Sequence, residues 1–255
     1  MGFTVEADAY DRFMGRYSVP LAPEFADFAA VAAGQRVLDV GCGPGALTTE
    51  LVDRLGAAAV SAVDPSEPFV EAARKRHPGV TVHRAAAEQL PFEAEAFDAA
   101  LAQLVVHFMT LPVEGLRELA RVTRTGGVVA ACVWDHAGGQ GPLSPFWEAA
   151  RRLDPHVEDE SKLAGAREGH LGQLFQEAGL HEIEEDVLSV SLEHSSFEDW
   201  WEPFMLGVGP AGDYAGGLGA ERQVQLREAC RELLPDAPFE LTARAWAARG
   251  RVRAV

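Results

Sequence analysis

Up to about Asp135 the chain alternates two apolar rhythms, short near-continuous runs and a spacing of three or four. The runs Arg36–Val40, Ala58–Val63, Val80–Arg84, Phe97–Gln103 and Val128–Trp134 predict strands, the last of them covered on both faces. Between them, Leu47, Leu51, Val52 and Leu55 fall on one helical stripe that Gly56 closes. A second helix covers Phe69 to Arg76 and is closed by His77-Pro78-Gly79. A third carries Val113, Leu116, Leu119, Ala120 and Val122, opens near Pro112 and ends at Gly126-Gly127. This order predicts a parallel sheet with helices on both faces and right-handed crossovers. Ahead of it, Tyr10–Tyr17 reads as a short helix that Pro20 interrupts. Leu21, Phe25, Phe28, Ala29 and Ala32 read as another, stopped by Gly34.

Beyond Asp135 the rhythm changes. Gly138–Pro145 is a glycine- and proline-rich break. Phe146, Trp147, Ala150 and Leu153 predict one helix, and Leu171, Leu174, Phe175 and Ala178 another. Leu188, Val190 and Leu192 alternate with Ser189, Ser191 and Glu193, a half-exposed strand, and the stretch from Phe239 alternates again. Between these strands lie an aromatic helix, Phe197–Met205, a glycine-rich bend over Gly207–Gly219 expected to be a mobile loop, and a helix with Val224, Leu226, Cys230 and Leu233. With no repeat and no long linker, the expectation is a single domain over 1–255. Lid helices occupy 1–35, a cofactor-binding core 36–135, and a cap with the terminal strands 136–255, on the substrate side.

Composition narrows the function. Apolar residues make up 47% of 255, as in a folded protein. A net charge of −17 opposes a phosphate backbone, so no nucleic-acid partner is expected. Cys42, Cys132 and Cys230 lack metal-type spacing and read as reduced packing residues. The opening MGFTVEADAYDRFMGRYS lacks a basic segment followed by an apolar one, and the longest apolar run, Val128–Trp134, is far too short for a bilayer. The expected location is cytoplasmic, with no membrane span. Nothing fixes an oligomeric state.

The chemistry centres on Val37–Gly45, VLDVGCGPG: a strand, a glycine loop, then a helix. Glycines let the backbone turn tightly beside a ligand, and the helix directs its unpaired N–H groups into the loop. This layout binds adenine-containing cofactors. Gly41-Cys42-Gly43-Pro44-Gly45-Ala46 also fits the dinucleotide pattern, with Asp64 ending the second strand where an acid meets ribose hydroxyls. From the loop alone, a nicotinamide cofactor stays open.

Three further stretches extend the pattern: VDPSE at Val63–Glu67, AAAEQLPF at Ala85–Phe92 and FDAALAQLVVHF at Phe97–Phe108. With VLDVGCGPG they resemble the class I S-adenosylmethionine-dependent methyltransferases, most closely the small-molecule type 11 group typified by ubiquinone and menaquinone biosynthesis. The resemblance covers about Tyr10 to Asp135. It implies a Rossmann-like α/β three-layer sandwich whose seven-stranded, mostly parallel sheet ends in an antiparallel strand, under a helical cap. It implies S-adenosyl-L-methionine as cofactor and S-adenosyl-L-homocysteine as product. Asp39, Gly41, Cys42 and Gly43 would line the methionine part, the Asp39 carboxylate suiting an ammonium group. Asp64 would take the ribose hydroxyls, Pro65 and Ser66 would lie beside the adenine, Ala87 and Glu88 would flank its edge, and Gln103 would meet the amino-acid end. In the N-terminal lid Tyr10 and Tyr17 would cover the cofactor, and a tyrosine hydroxyl or Arg16 would reach its carboxylate. One departure stands out. The family's third motif usually reads Gly-Asp-Ala, whereas Ala85-Ala86-Ala87 stands here, so Ala86 cannot offer a side chain to the adenine amino group.

Methyl transfer from a sulfonium releases a neutral leaving group, so it needs positioning and dryness more than acid–base machinery. For a hydroxyl or carbon acid, His107 after the fourth strand is the candidate base. Asp135 and His136 follow the fifth strand at the same sheet edge, where ligands of such sheets bind. The acidic run Glu158–Glu160 reads as a solvated face, and no metal is expected. Trp134, Trp147, Trp200 and Phe204 suggest a pocket for a small, fairly apolar acceptor. The expected reaction is methylation of an oxygen or carbon of that acceptor. The alternatives are an NAD(P)-dependent oxidoreductase and a non-catalytic S-adenosylmethionine-binding protein.

Overall fold

A computed structural model describes residues 7–253; the first six and last two positions of the expected single domain lie outside the described residues. The strands are β1 (Val37–Val40), β2 (Val60–Asp64), β3 (Thr81–Arg84), β4 (Phe97–Gln103), β5 (Thr123–Trp134), β6 (His181–His194) and β7 (Phe239–Arg251). They form one seven-stranded sheet in the order β3-β2-β1-β4-β5-β7-β6. The first five run parallel, and β7 is inserted antiparallel to both β5 and β6. The direction of the chain across the sheet reverses between β1 and β4, which opens a crevice at their carboxyl ends.

The helices are α1 (Ala7–Tyr10), α2 (Arg16–Phe28), α3 (Ala46–Leu55), α4 (Glu67–Arg76), α5 (Pro112–Val122), α6 (Ser144–Leu153), α7 (His170–Glu177), α8 (Phe197–Trp201), α9 (Gly209–Gly217) and α10 (Ala220–Leu233). Strand pleating divides the apolar residues between two cores. Val37, Ala62, Leu101 and Cys132 pack on the side of Leu21, Phe25 and Leu51. Leu38, Val63, Ala100 and Val129 pack on the side of Leu116, Leu119 and Phe175. The first core continues into the aromatic cap, through Phe146, Trp201 and Phe204.

Four sequence expectations need correction. Pro20 does not interrupt the N-terminal helix: a π turn over Asp11–Gly15 joins α1 to α2, and both Pro20 and Pro23 lie within α2. Val19 and Pro20 face solvent, so water can serve carbonyls that lack an N–H partner, and Ser18 Oγ donates to the Met14 carbonyl at 3.1 Å. Nor does Gly34 stop this helix, which ends at Phe28 before Ala30 turns left-handed. Gly126-Gly127 does not end α5, since β5 begins at Thr123 and runs through both glycines. The ladder with β4 shifts register there, and a side chain at Gly127 would sit 2.6 Å from the Asp98 carbonyl. The glycine-rich bend is largely the helix α9, opened by Pro210 and set close to its neighbour, for a Cβ at Gly212 would lie 2.7 Å from the Gly207 backbone. In α10, Leu226 and Cys230 are buried, but Val224 points to solvent.

Candidate cofactor and acceptor site

The loop after β1 is tied to β2, since the Gly41 and Cys42 N–H groups both donate to the Val63 carbonyl, at 2.8 and 2.9 Å. Gly41, Gly43 and Gly45 all have positive φ, 71°, 53° and 105°. Their surroundings differ. A Cβ at Gly41 would meet Val105 Cγ2 at 2.4 Å and one at Gly45 would meet His77 Nε2 at 2.9 Å, whereas one at Gly43 would have nothing within 4 Å. Gly43 is therefore the open side of the loop.

Two carboxyls flank it. Asp39, on the β1 face that looks at α3, is buried and accepts from Thr48 Oγ1 at 2.6 Å. Asp64, ending β2, accepts from the Gly43 N–H at 2.9 Å and the Ser66 N–H at 2.8 Å. Burial pushes Asp39 up to about 7 against the opposing Thr48 bond. It raises Asp64 to about 6, although the two backbone donors pull the other way. Among the described residues, none of the hydrogen-bond partners of either carboxyl is a cationic side chain.

The other residues expected at the cofactor divide. Gln103 is buried at the end of β4; its Nε2 donates to the Ser18 carbonyl at 2.9 Å, and its Oε1 is buried without a partner. Cys42 is buried, and burial drives its thiol well above the ordinary range. Pro65 is exposed and its carbonyl accepts from Arg84. Ser66 is buried and precedes α4. Ala86 is exposed, while Ala87 is packed in the second core. Glu88 accepts from the Leu111 N–H at 3.1 Å, anchoring its loop to the start of α5.

In the lid, Tyr10 lies edge-on to Phe69 and borders an apolar cavity. Arg16 and Tyr17, also expected there, are engaged by the cap. Arg16 donates to the Asp199 carbonyl and carboxylate, at 2.9 and 3.1 Å, and the Tyr17 hydroxyl lies 3.0 Å from His194 Nε2. Burial, assisted by Arg16 and opposed by Asp199, lowers His194 to about 4. A histidine depressed in the fold contributes stability in full above its unfolded value of about 6.5 and loses it as pH falls through the folded value. The melting temperature is thus expected to fall more steeply between pH 6.5 and 4 in the wild type than in His194→Gln, a comparison that cancels the titration of Asp39 and Asp64. Equal slopes would remove His194 as the sensitive contact.

The apolar cavity lies against this lid. Phe13 and Met14 line it from the π turn, Leu104 and Phe108 from beyond β4, Trp134 from β5, and Val208 from before α9. Trp134 Nε1 donates to Met14 Sδ at 3.3 Å. Into this apolar wall project His107, His136 and Glu160. They bring one nitrogen or oxygen each within 4.8 Å of one another. His107 Nδ1 and His136 Nε2 are buried without partners. Burial lowers both rings, His107 well below the ordinary imidazole range. Asp135 turns away, accepting from the Gly138 N–H at 2.7 Å.

Glu160 overturns the reading of 158–160 as a solvated face: Glu158 is exposed, but Glu160 is only 3% accessible. Asp159 accepts from the Ser161 N–H at 2.9 Å and pairs with Arg151, fixing the turn. Trp147 Nε1 donates to Glu160 Oε2 at 2.8 Å. An indole N–H on a buried helix face needs an acceptor, and that was the available signal; the sequence spacing did not say which acid supplied it. Of the aromatic residues expected to form the pocket, Trp134 lines it and Trp147 backs it through Glu160. Trp200 and Phe204 instead border a smaller cavity of about 230 Å³, and Phe204 stacks on Phe146 at 4.5 Å.

Residues 38–131, from β1 through most of β5, match the model of a methyltransferase domain. That stretch carries the chain's similarity to methyltransferase domains. An uncharacterized methyltransferase of Mycobacterium tuberculosis is 37% identical over 135 residues, 53% of this chain and 52% of that protein. The 2-methyl-6-phytyl-1,4-hydroquinone methyltransferase 2 of Oryza sativa is 36% identical over 151 residues, 58% of this chain and 39% of that protein. The matches thus span about half or less of these relatives' lengths. In three dimensions, a putative methyltransferase of Bacillus halodurans superposes with a TM-score of 0.58 at 18% identity, covering 91% of this chain and 99% of the other. The inserted antiparallel β7 agrees with the sheet of these methyltransferase folds. Among the described residues no helix is long and apolar enough to cross a membrane.

Proposed function

We propose that the protein transfers the methyl group of S-adenosylmethionine to an oxygen or carbon of a small, fairly apolar acceptor held in the cavity beside His107. The observation that carries this reading is the pair of buried carboxyls, Asp39 and Asp64, flanking the open side of Gly43 without a cationic partner. S-adenosylmethionine brings two positive charges, a sulfonium and an ammonium. A dinucleotide brings a negatively charged pyrophosphate, which two buried acids oppose. The buried, unpartnered Gln103 Oε1 adds an acceptor suited to the ammonium group.

The cavity supports the acceptor class. Its wall is apolar and aromatic, and its polar groups converge at His107. His107 meets the nucleophilic atom and activates it, while Phe13, Met14 and Trp134 exclude water and hold that atom behind the methyl group. The rice relative, named for a hydroquinone with a phytyl chain, is consistent with an apolar acceptor.

Calorimetry tests the cofactor. S-adenosylhomocysteine is expected to bind with one-to-one stoichiometry, and NAD(P) to give no heat. Binding of NAD(P) without S-adenosylhomocysteine would sink the reading. Transfer of labelled methyl groups to a panel of phenols, hydroquinones and apolar carboxylic acids then tests the acceptor. Transfer confined to basic peptides or nucleic acid would overturn that part.

A further inference from the structure

We propose that His107, His136 and Glu160 form a binding site for a single divalent transition-metal ion of the Zn²⁺ type, whose open coordination position takes the acceptor's oxygen. This rests on the methyltransferase reading and specifies how His107 activates the acceptor. The topology brings the two histidines together: β4 and β5 are neighbouring parallel strands, and His107 and His136 follow their carboxyl ends. Glu160 reaches them from the cap. One ligand atom from each lies within 4.8 Å of the others. Donors around a tetrahedral zinc ion at about 2.0–2.2 Å are about 3.4 Å apart, so closure needs only small side-chain movements.

Two independent observations point to a ligand. His107 Nδ1, on a residue 7% exposed, and His136 Nε2 are both buried without a hydrogen-bond partner. Such groups carry a desolvation cost that a bound cation would remove. Second, Glu160 is already oriented: Trp147 Nε1 donates to its Oε2 at 2.8 Å, the kind of supporting bond that sets a ligating carboxylate. Two imidazoles and one carboxylate suit zinc, cobalt, iron or nickel. Magnesium and calcium favour oxygen donors and are not expected.

Such an ion sits at the base of an apolar cavity with coordination positions left over. A hydroxyl bound there loses its proton to water more readily, as zinc-bound water does. Its oxygen then forms the bond to the methyl carbon. The carbon–sulfur bond breaks with its electron pair returning to sulfur, giving the methyl ether, S-adenosylhomocysteine and one proton.

The test begins with full-length protein freed of metal by chelator and dialysis. Calorimetry with Zn²⁺ is expected to show one equivalent bound, Co²⁺ to produce visible ligand-field bands, and either ion to raise the melting temperature in a concentration-dependent way. His136→Gln and Glu160→Gln are expected to weaken Zn²⁺ binding by at least about 100-fold, and Trp147→Phe by about 10–100-fold. Circular dichroism and S-adenosylhomocysteine affinity report whether each variant folds. Wild-type protein that binds no Zn²⁺, or binds it as tightly as a folded His136→Gln variant does, overturns the metal site. If that protein still binds S-adenosylhomocysteine, the methyltransferase reading stands; if wild type binds Zn²⁺ but not S-adenosylhomocysteine, that reading falls instead.

Discussion

Gly41→Ala is expected to destabilise the protein by about 2–5 kcal/mol and to abolish S-adenosylhomocysteine binding. Two costs combine. The residue has φ of 71°, and an alanine held there costs about 1–2 kcal/mol. Its Cβ would lie 2.4, 2.6 and 3.0 Å from three carbons of Val105, and forcing a methyl group into such packing costs about 1–3 kcal/mol. Val105 is β-branched and stiff at χ1, so it cannot swing aside cheaply. A second change, Val105→Ala, should restore part of the loss. Gly43→Ala isolates the other role of the loop. With φ of 53° and open space around the added methyl, it should cost only about 1–2 kcal/mol of stability. Because that methyl projects from the open side, it should still weaken S-adenosylhomocysteine by tenfold or more. Urea denaturation and calorimetry on both variants check this. A Gly43→Ala protein that binds normally would mean the cofactor does not pass over this glycine.

The contrast between these two glycines shows where sequence stops being informative. Gly41, Gly43 and Gly45 form one motif on paper, and the motif correctly marked the strand, turn and helix. What separates them is Val105, more than 60 residues away, and His77, beyond the next strand. The parallel strands were legible because buried apolar runs and their helical stripes follow from local periodicity. The antiparallel β7 was foreseen from the family resemblance and from late alternation. Elsewhere, surroundings distant in sequence override local tendencies. Pro20 and the glycines of α9 carry strong breaker tendencies, and tertiary surroundings override them: solvent beside Val19, and close approach at Gly212. Arg16 and Tyr17 were expected at the cofactor because their chemistry fits a carboxylate; Asp199 and His194, about 180 residues later, engage the same groups. Glu160 was hidden by its neighbours, since an acidic run usually faces water. Only the position of Trp147 shows that one of its members is buried.

Asp64→Ala is expected to weaken S-adenosylhomocysteine by about 1–3 kcal/mol, roughly 5- to 150-fold. The side chain holds the Gly43 and Ser66 N–H groups and is the expected partner of the ribose, so its removal loosens the loop and leaves polar groups unpaired. The pH dependence of binding separates this from a general loosening. With its folded value raised to about 6, Asp64 favours the protonated form in the empty protein, and Asp39 does so up to about 7. The sign follows from linkage: their contribution to the stability of the empty protein is complete below the unfolded value near 4 and is lost as pH rises through 6 and 7. A cationic cofactor favours the ionised forms, so its affinity must change in the opposite sense, growing as pH rises through the same window. The gain in melting temperature from saturating S-adenosylmethionine should therefore be larger at pH 8 than at pH 5. Asp64→Asn keeps one acceptor oxygen for the loop but cannot ionise; it should remove the lower part of this pH dependence and leave the part near 7 that belongs to Asp39. A wild-type affinity independent of pH from 5 to 8 would show that neither acid changes its protonation when the cofactor binds, and would remove the electrostatic argument for a cationic ligand at this loop.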